Sequence, residues 1–158
     1  MTIFRYYIVA NFLFLSFSYD IVLADYLSHT HKDIKHDNDH EEVAELSPEI
    51  IENATTIDSR KAKELFDREV IFIDTRKLSD WNAGRIPGAK HLDVKKDFTQ
   101  ENLKKILNYY DSFVIYCNGP KCLRSSQGTI KAVEWGYKKV FYYRDGFPAW
   151  FKGNNPLE

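Results

Sequence analysis

Short runs of continuously apolar residues punctuate the chain from residue 70 onward: Val70-Ile71-Phe72-Ile73, Phe113-Val114-Ile115-Tyr116 and Val140-Phe141-Tyr142-Tyr143. Each is too short for a helix and rich in β-branched or aromatic types, which predicts a strand. Apolar side chains on both faces place such strands inside a parallel sheet. Thr55-Thr56-Ile57 and His91-Leu92-Asp93-Val94 add two further β-like stretches, about five in all. Helical spacing fills the gaps. Asp58 or Ser59 caps a helix whose Ala62, Leu65 and Phe66 share a face, and Gln100 to Tyr110 carries Leu103, Ile106, Leu107 and Tyr110 at i, i+3, i+4 and i+7. A third helix runs from Arg124 through Ile130, Ala132 and Val133 to a stop at Gly136. Shorter turns of helix are expected at Ser47-Pro48-Glu49, at Asp80 to Gly84 and at Asp145 to Trp150, with a tight Pro-Gly turn at Arg85-Ile86-Pro87-Gly88-Ala89. Strands alternating with helices on short connections define an α/β domain. A parallel sheet with right-handed crossovers and helices on both faces satisfies that order.

The amino-terminal third breaks this pattern. Arg5 precedes an almost wholly apolar stretch from Tyr6 to Phe17, and Val22-Leu23-Ala24 offers small residues before Asp25. Residues 1–24 therefore read as a secretory signal peptide; Asp20 interrupts the run before it reaches the roughly 20 apolar residues of a membrane span. Residues 25–45 turn to His, Asp, Lys, Asn and Glu and hold four of the five histidines, His29, His31, His36 and His40. Imidazoles so close together could bind zinc or copper, but without a cysteine in the cluster a solvated polar linker is the expectation, and no metal site is assigned. Residues 46–158 form the folded domain.

Charge narrows the function classes. The whole chain carries 22 basic and 23 acidic residues. Removing Arg5 and Asp20 with the signal leaves 21 against 22, still −1. A chain with no basic surplus and no aromatic-rich basic motif is not expected to bind nucleic acid. After signal removal no stable membrane insertion is expected, and the protein should be periplasmic or secreted.

Candidate chemistry gathers in one loop. The only two cysteines, Cys117 and Cys122, bracket Asn118-Gly119-Pro120-Lys121, between a strand end and the helix that starts near Leu123-Arg124-Ser125. Unpaired N–H groups at a helix start favour negative charge, so a thiol held over them should ionise readily and act as a nucleophile. Cys117 is the candidate nucleophile. Asp74 and Arg76 follow the second apolar run, at the strand end where α/β sheets build sites, and are expected to support the loop, bracing being at least as good a role for Arg76 as binding an anion. His91, the one histidine inside the domain, is expected to be partly buried and hydrogen-bonded.

Phe72-Ile73-Asp74-Thr75-Arg76, Trp81…Gly84-Arg85-Ile86-Pro87-Gly88-Ala89, Tyr116-Cys117, Trp135-Gly136-Tyr137…Val140 and Gly146…Trp150 together resemble the successive signatures of a single-domain rhodanese. The spacing Cys117-x4-Cys122 is similar to exported members with a second cysteine in the loop. Arg85 stands where that family usually has histidine. The resemblance implies sulfur transfer without a cofactor: Cys117 takes a sulfane sulfur from thiosulfate or a persulfide, holds it as Cys–S–SH, and gives it to cyanide or a thiol. Asn118, Gly119, Pro120, Lys121, Leu123, Arg124 and Ser125 would form the substrate loop, with Lys121 and Arg124 attracting an anionic donor and Arg85 adding positive charge nearby. Cys122 would be an auxiliary or resolving thiol. A redox or disulfide-exchange protein using both cysteines, or a non-catalytic accessory module with a protein partner, are the alternatives.

Overall fold

The computed structural model describes residues 45–158. The signal-peptide and linker readings lie outside the described residues. Five strands form one sheet in the order β1-β5-β4-β2-β3, with every neighbouring pair parallel. These are β1 (Thr55–Thr56), β2 (Ile71–Asp74), β3 (Lys90–His91), β4 (Ser112–Tyr116) and β5 (Lys139–Tyr143). The helices are α1 (Ser59–Asp67), α2 (Leu78–Asn82), α3 (Gln100–Lys104), α4 (Arg124–Glu134) and α5 (Gly146–Lys152). This is the α/β architecture expected from the alternating pattern.

Residue alternation along β4 explains why the sheet is covered twice. Phe113 and Ile115 point into a cluster with Ile73, Leu103, Leu107, Ala132 and Val140, whereas Val114 and Tyr116 point into one with Phe72, Ala62, Leu65, Ile86 and Trp150. Each large apolar side chain so buried contributes about 1.5–3 kcal/mol. Trp150 anchors the second cluster, with its ring against Phe66 and Phe72 and its indole N–H donating to the Pro156 carbonyl.

Three local expectations differ from the structure. The helix from Gln100 ends at Lys104, because the Asp111 carboxylate accepts the Asn108 N–H at 2.7 Å that a longer helix would give to Lys104. Tyr110 is thereby left exposed. Ser47-Pro48-Glu49 forms no helical turn; the Ser47 N–H donates to the Pro120 carbonyl at 2.7 Å, and Arg144 holds the Ser47 carbonyl from Nε and Nη2 at 3.0 and 2.9 Å. The third strand is two residues long, since Asp93 turns the chain by accepting the Lys95 N–H.

Candidate active site

Strand register builds the site's edge. Asp74, Tyr116 and Tyr143 stand side by side as the last residues of β2, β4 and β5, so the three following loops leave the sheet along one line. The loops are then tied to one another. The Thr75 N–H and hydroxyl both donate to the Tyr116 carbonyl, at 3.1 and 2.8 Å, and the Phe147 N–H donates to the Cys117 carbonyl at 2.8 Å.

Cys117 is the first residue past β4 and is fully buried. The chain then turns back at once: Gly119 takes a positive φ of 94°, and its carbonyl accepts the Cys122 N–H at 2.9 Å. Helix α4 follows directly, which brings the buried Ser125 hydroxyl to 3.0 Å from the Cys117 sulfur. The Cys122 carbonyl oxygen lies 3.1 Å from the same sulfur. Both cysteines are free thiols.

The sequence reading expects the easily ionised thiol at Cys117; in this pair the electrostatic balance favours ionisation of Cys122. A hydrogen bond from Cys117 lowers the Cys122 pKa to about 6; burial works against it, and the backbone N–H groups of Asn118 and Arg124 and the Arg124 charge work with it. Cys117 is pushed up by giving that hydrogen bond and by burial, which the Ser125 hydroxyl only partly offsets. The loop's N–H groups do stabilise a thiolate, as expected. They divide between the two sulfurs: the Asn118 and Arg124 N–H groups favour the Cys122 thiolate, and the Ser125 N–H favours that of Cys117.

The other residues singled out from the sequence fall into two groups. Asn118 and Lys121 are exposed on the loop, and the Asn118 amide donates to Asp80 Oδ2 at 2.6 Å. Pro120 fixes the loop to the preceding segment through Ser47. Leu123 is the N-cap residue of α4, its carbonyl accepting from Ser126 Oγ at 2.8 Å. Arg124 turns back to the Asp93 carboxylate and the Thr75 carbonyl, so its charge clamps the helix start to the loop after β3.

Asp74 and Arg76 form a buried brace instead of a substrate contact. The Arg76 guanidinium donates from Nε to both Asp74 oxygens, at 3.0 and 2.9 Å, and from Nη2 to Asp74 Oδ2 at 2.6 Å and the Gly84 carbonyl at 2.7 Å. It also lies 4.3 Å from the centre of the Phe147 ring. His91 is hydrogen-bonded as expected, Nε2 to the Arg76 carbonyl at 2.9 Å, and stacks on Trp81. Arg85 covers the other face of this neighbourhood, 4.5 Å above the Trp81 ring and paired with the Glu158 carboxylate.

Sequence reasoning missed Ser47, Tyr142 and Arg144. The Tyr142 side chain lies on the same sheet face as Ile115 by register, and its hydroxyl is buried near Ser47 and Ser125 behind the Cys117 sulfur. Nothing in the local pattern separates Tyr142 from an ordinary apolar strand residue. Only the β4–β5 register gives it away.

The Asp93–Arg124 clamp has a testable pH signature. Burial alone would raise the Asp93 carboxyl, but the Lys95 N–H and the Arg124 guanidinium outweigh it and hold the group below the ordinary carboxylate range. The stabilisation is thus full above the unfolded value of about 3.9 and is lost as pH falls through the lower folded value. Thermal melts of wild type and Asp93→Asn should differ near neutrality and converge as pH falls below the ordinary carboxylate range. A constant difference across that range would show that Asp93 acts by shape rather than charge.

This architecture agrees with the comparisons. The rhodanese-like domain family model matches residues 58–152, and the chain belongs to that family. Among solved structures, the BH2092 protein of Bacillus halodurans superposes with a TM-score of 0.59 at 22% identity, covering 66% of this chain and 76% of its own. A thiosulfate sulfurtransferase of Pseudomonas aeruginosa superposes with a TM-score of 0.56 at 14% identity, over 66% of this chain and 20% of that one. A curated relative, the tRNA uridine(34) hydroxylase of Buchnera aphidicola, is 29% identical over 113 residues, 58% of this chain. The chain spans 33% of that relative's length.

Proposed function

We propose that this protein is an exported sulfurtransferase that carries a sulfane sulfur on Cys117. The observation that supports the reading is the enclosed sulfur of Cys117 at the end of β4, held by Ser125 beneath a short loop that continues into α4. A covalent carrier divides one difficult displacement into two easier ones. In the first, the Cys117 sulfur attacks the outer sulfur of thiosulfate, the S–S bond of the donor breaks and sulfite leaves with the electron pair. The Cys117 proton passes to the Cys122 thiolate. In the second, a thiophilic acceptor such as cyanide or a thiol takes the outer sulfur, and the carrier returns to its starting state. The exposed Lys121 draws the anionic donor to the loop mouth. The acceptor is a small molecule or a partner protein's thiol.

The test is thiocyanate formation from thiosulfate and cyanide, read beside the intact mass of the thiosulfate-treated protein. Wild type should gain one sulfur atom on the Cys117 peptide and turn over. Cys117→Ser should gain none and lose roughly a thousandfold or more in rate. Turnover by the serine variant, or a sulfur located on another residue, would remove Cys117 from the role.

A further inference from the structure

Burial separates the two sulfur atoms of a Cys117 persulfide, and that separation decides which nucleophile reaches which. The Cys117 side chain is fully buried, whereas the outer sulfur would extend toward the loop mouth, where external acceptors approach. Once loaded, the inner sulfur lies behind the outer one, so an external acceptor meets the outer sulfur first. Cys122 is the exception, because it is already inside the loop. Its backbone carbonyl sits 3.1 Å from the Cys117 sulfur, and the turn from Gly119 holds it there. It is also only partly covered.

Resting on the sulfur-carrier reading above, we infer that Cys122 is a resolving nucleophile that discharges the Cys117 persulfide as hydrogen sulfide and leaves a Cys117–Cys122 disulfide. In this step the Cys122 sulfur attacks the inner sulfur of Cys117–S–S⁻. A sulfur–sulfur bond forms between the cysteines, and the bond to the outer sulfur breaks. The outer sulfur leaves as HS⁻, taking the proton that Cys122 received when Cys117 was loaded. The two cysteines are together oxidised by two electrons, and the sulfane sulfur is reduced to sulfide by the same two. Closing the cycle requires a dithiol reductant, through an ordinary thiol–disulfide exchange at the half-exposed Cys122. The chemistry favours the step on both sides: the Cys117 hydrogen bond that most lowers the Cys122 pKa is lost on loading, but the Asn118 and Arg124 N–H groups and the Arg124 charge still favour its thiolate, and sulfide is a weakly basic leaving group. The loop is therefore a device for turning sulfane sulfur into free sulfide at the expense of a dithiol, not only for passing it on.

Single-turnover loading of the full chain tests this. The reduced, metal-free protein is treated with thiosulfate without oxygen, freed of excess donor, and followed by intact mass, by peptide mapping and by trapping of released sulfide with a bimane reagent. Wild type should release one sulfide per loaded protein with no thiol added, and the map should then show Cys117 joined to Cys122. Cys122→Ser, loaded in the same way, should keep its extra sulfur until a thiol is supplied. Alkylation should also label Cys122 half-maximally near pH 6 in the unloaded wild type. A loaded wild type that holds its sulfur as long as the variant, with both cysteines still separable, would overturn the resolving role and leave the carrier reading standing. Failure of wild type to take up any sulfur would overturn the carrier reading, and this step with it. Should the serine variant not fold, the wild-type sulfide count and disulfide map decide the matter alone.

Discussion

Gly146→Ala should destabilise the domain by about 3–5 kcal/mol and abolish sulfur uptake, a larger effect than any other single methyl group is expected to have here. A β-carbon built at this position would lie 2.1 Å from the Cys117 carbonyl oxygen, 2.9 Å from its carbon and 2.9 Å from the Gly119 nitrogen. All three obstacles are backbone, and none can rotate away. Gly146 also has φ of 60°, which costs a residue with a side chain about 1 kcal/mol before any clash. The close approach exists because the Phe147 N–H must reach the Cys117 carbonyl at 2.8 Å, locking α5 onto the loop that carries the sulfur. Gly88→Ala supplies the comparison. Gly88 has φ of 71° and nothing within 4 Å of its added methyl, so its loss should be close to the conformational cost alone. Urea unfolding of the two variants, paired with mass analysis of sulfur loading, separates crowding from backbone strain. Equal stabilities would mean that the loop moves aside freely and that the Cys117–Phe147 contact does not fix the site.

The sequence made the sheet legible wherever the chain's own pattern determines burial. Runs such as Phe113 to Tyr116 have no polar face to expose, so a central strand is the one place they fit, and β4 occupies it. The Pro-Gly turn and the cap at Asp58 are equally local: the Asp58 carboxylate accepts the Lys61 N–H at 2.7 Å, as a helix N-cap should. What the pattern did not reveal depends on partners distant in sequence. The stripe through Tyr110 fits a longer helix, but the Asp111 carboxylate competes for the Asn108 N–H and the helix stops early. Ser47 lies far from the cysteine loop in sequence and is drawn to it by Pro120 and Arg144. How the two thiols share the helix-start N–H groups is not local either: it depends on how tightly the loop turns at Gly119, which leaves Cys117 fully buried and Cys122 half so.

The second large effect is expected at the brace beneath the site. Asp74 and Arg76 are both buried, at 0% and 2% exposure, and the pair is joined by three side-chain hydrogen bonds plus one from the Arg76 N–H to Asp74 Oδ1 at 2.9 Å. Asp74→Ala would leave a guanidinium sealed against the Phe147 and Tyr116 rings with only the Gly84 carbonyl to receive it. Breaking a buried pair from one side costs about 3–5 kcal/mol, chiefly because the surviving charge is uncompensated. Removing both charges avoids that cost. Asp74→Ala combined with Arg76→Met should therefore be more stable than Asp74→Ala alone, with a coupling of about 2 kcal/mol in a double-mutant cycle read by urea unfolding. Additive losses would show that the two side chains hold the fold independently. The cycle also distinguishes bracing from binding. Arg76 reaches the cysteine loop through Phe147, whose N–H holds the Cys117 carbonyl, so a brace predicts that sulfur loading in each variant follows its stability. A stable double variant that failed to load sulfur would instead make the Arg76 charge a participant in the chemistry, and would move it from the frame of the site into the site itself.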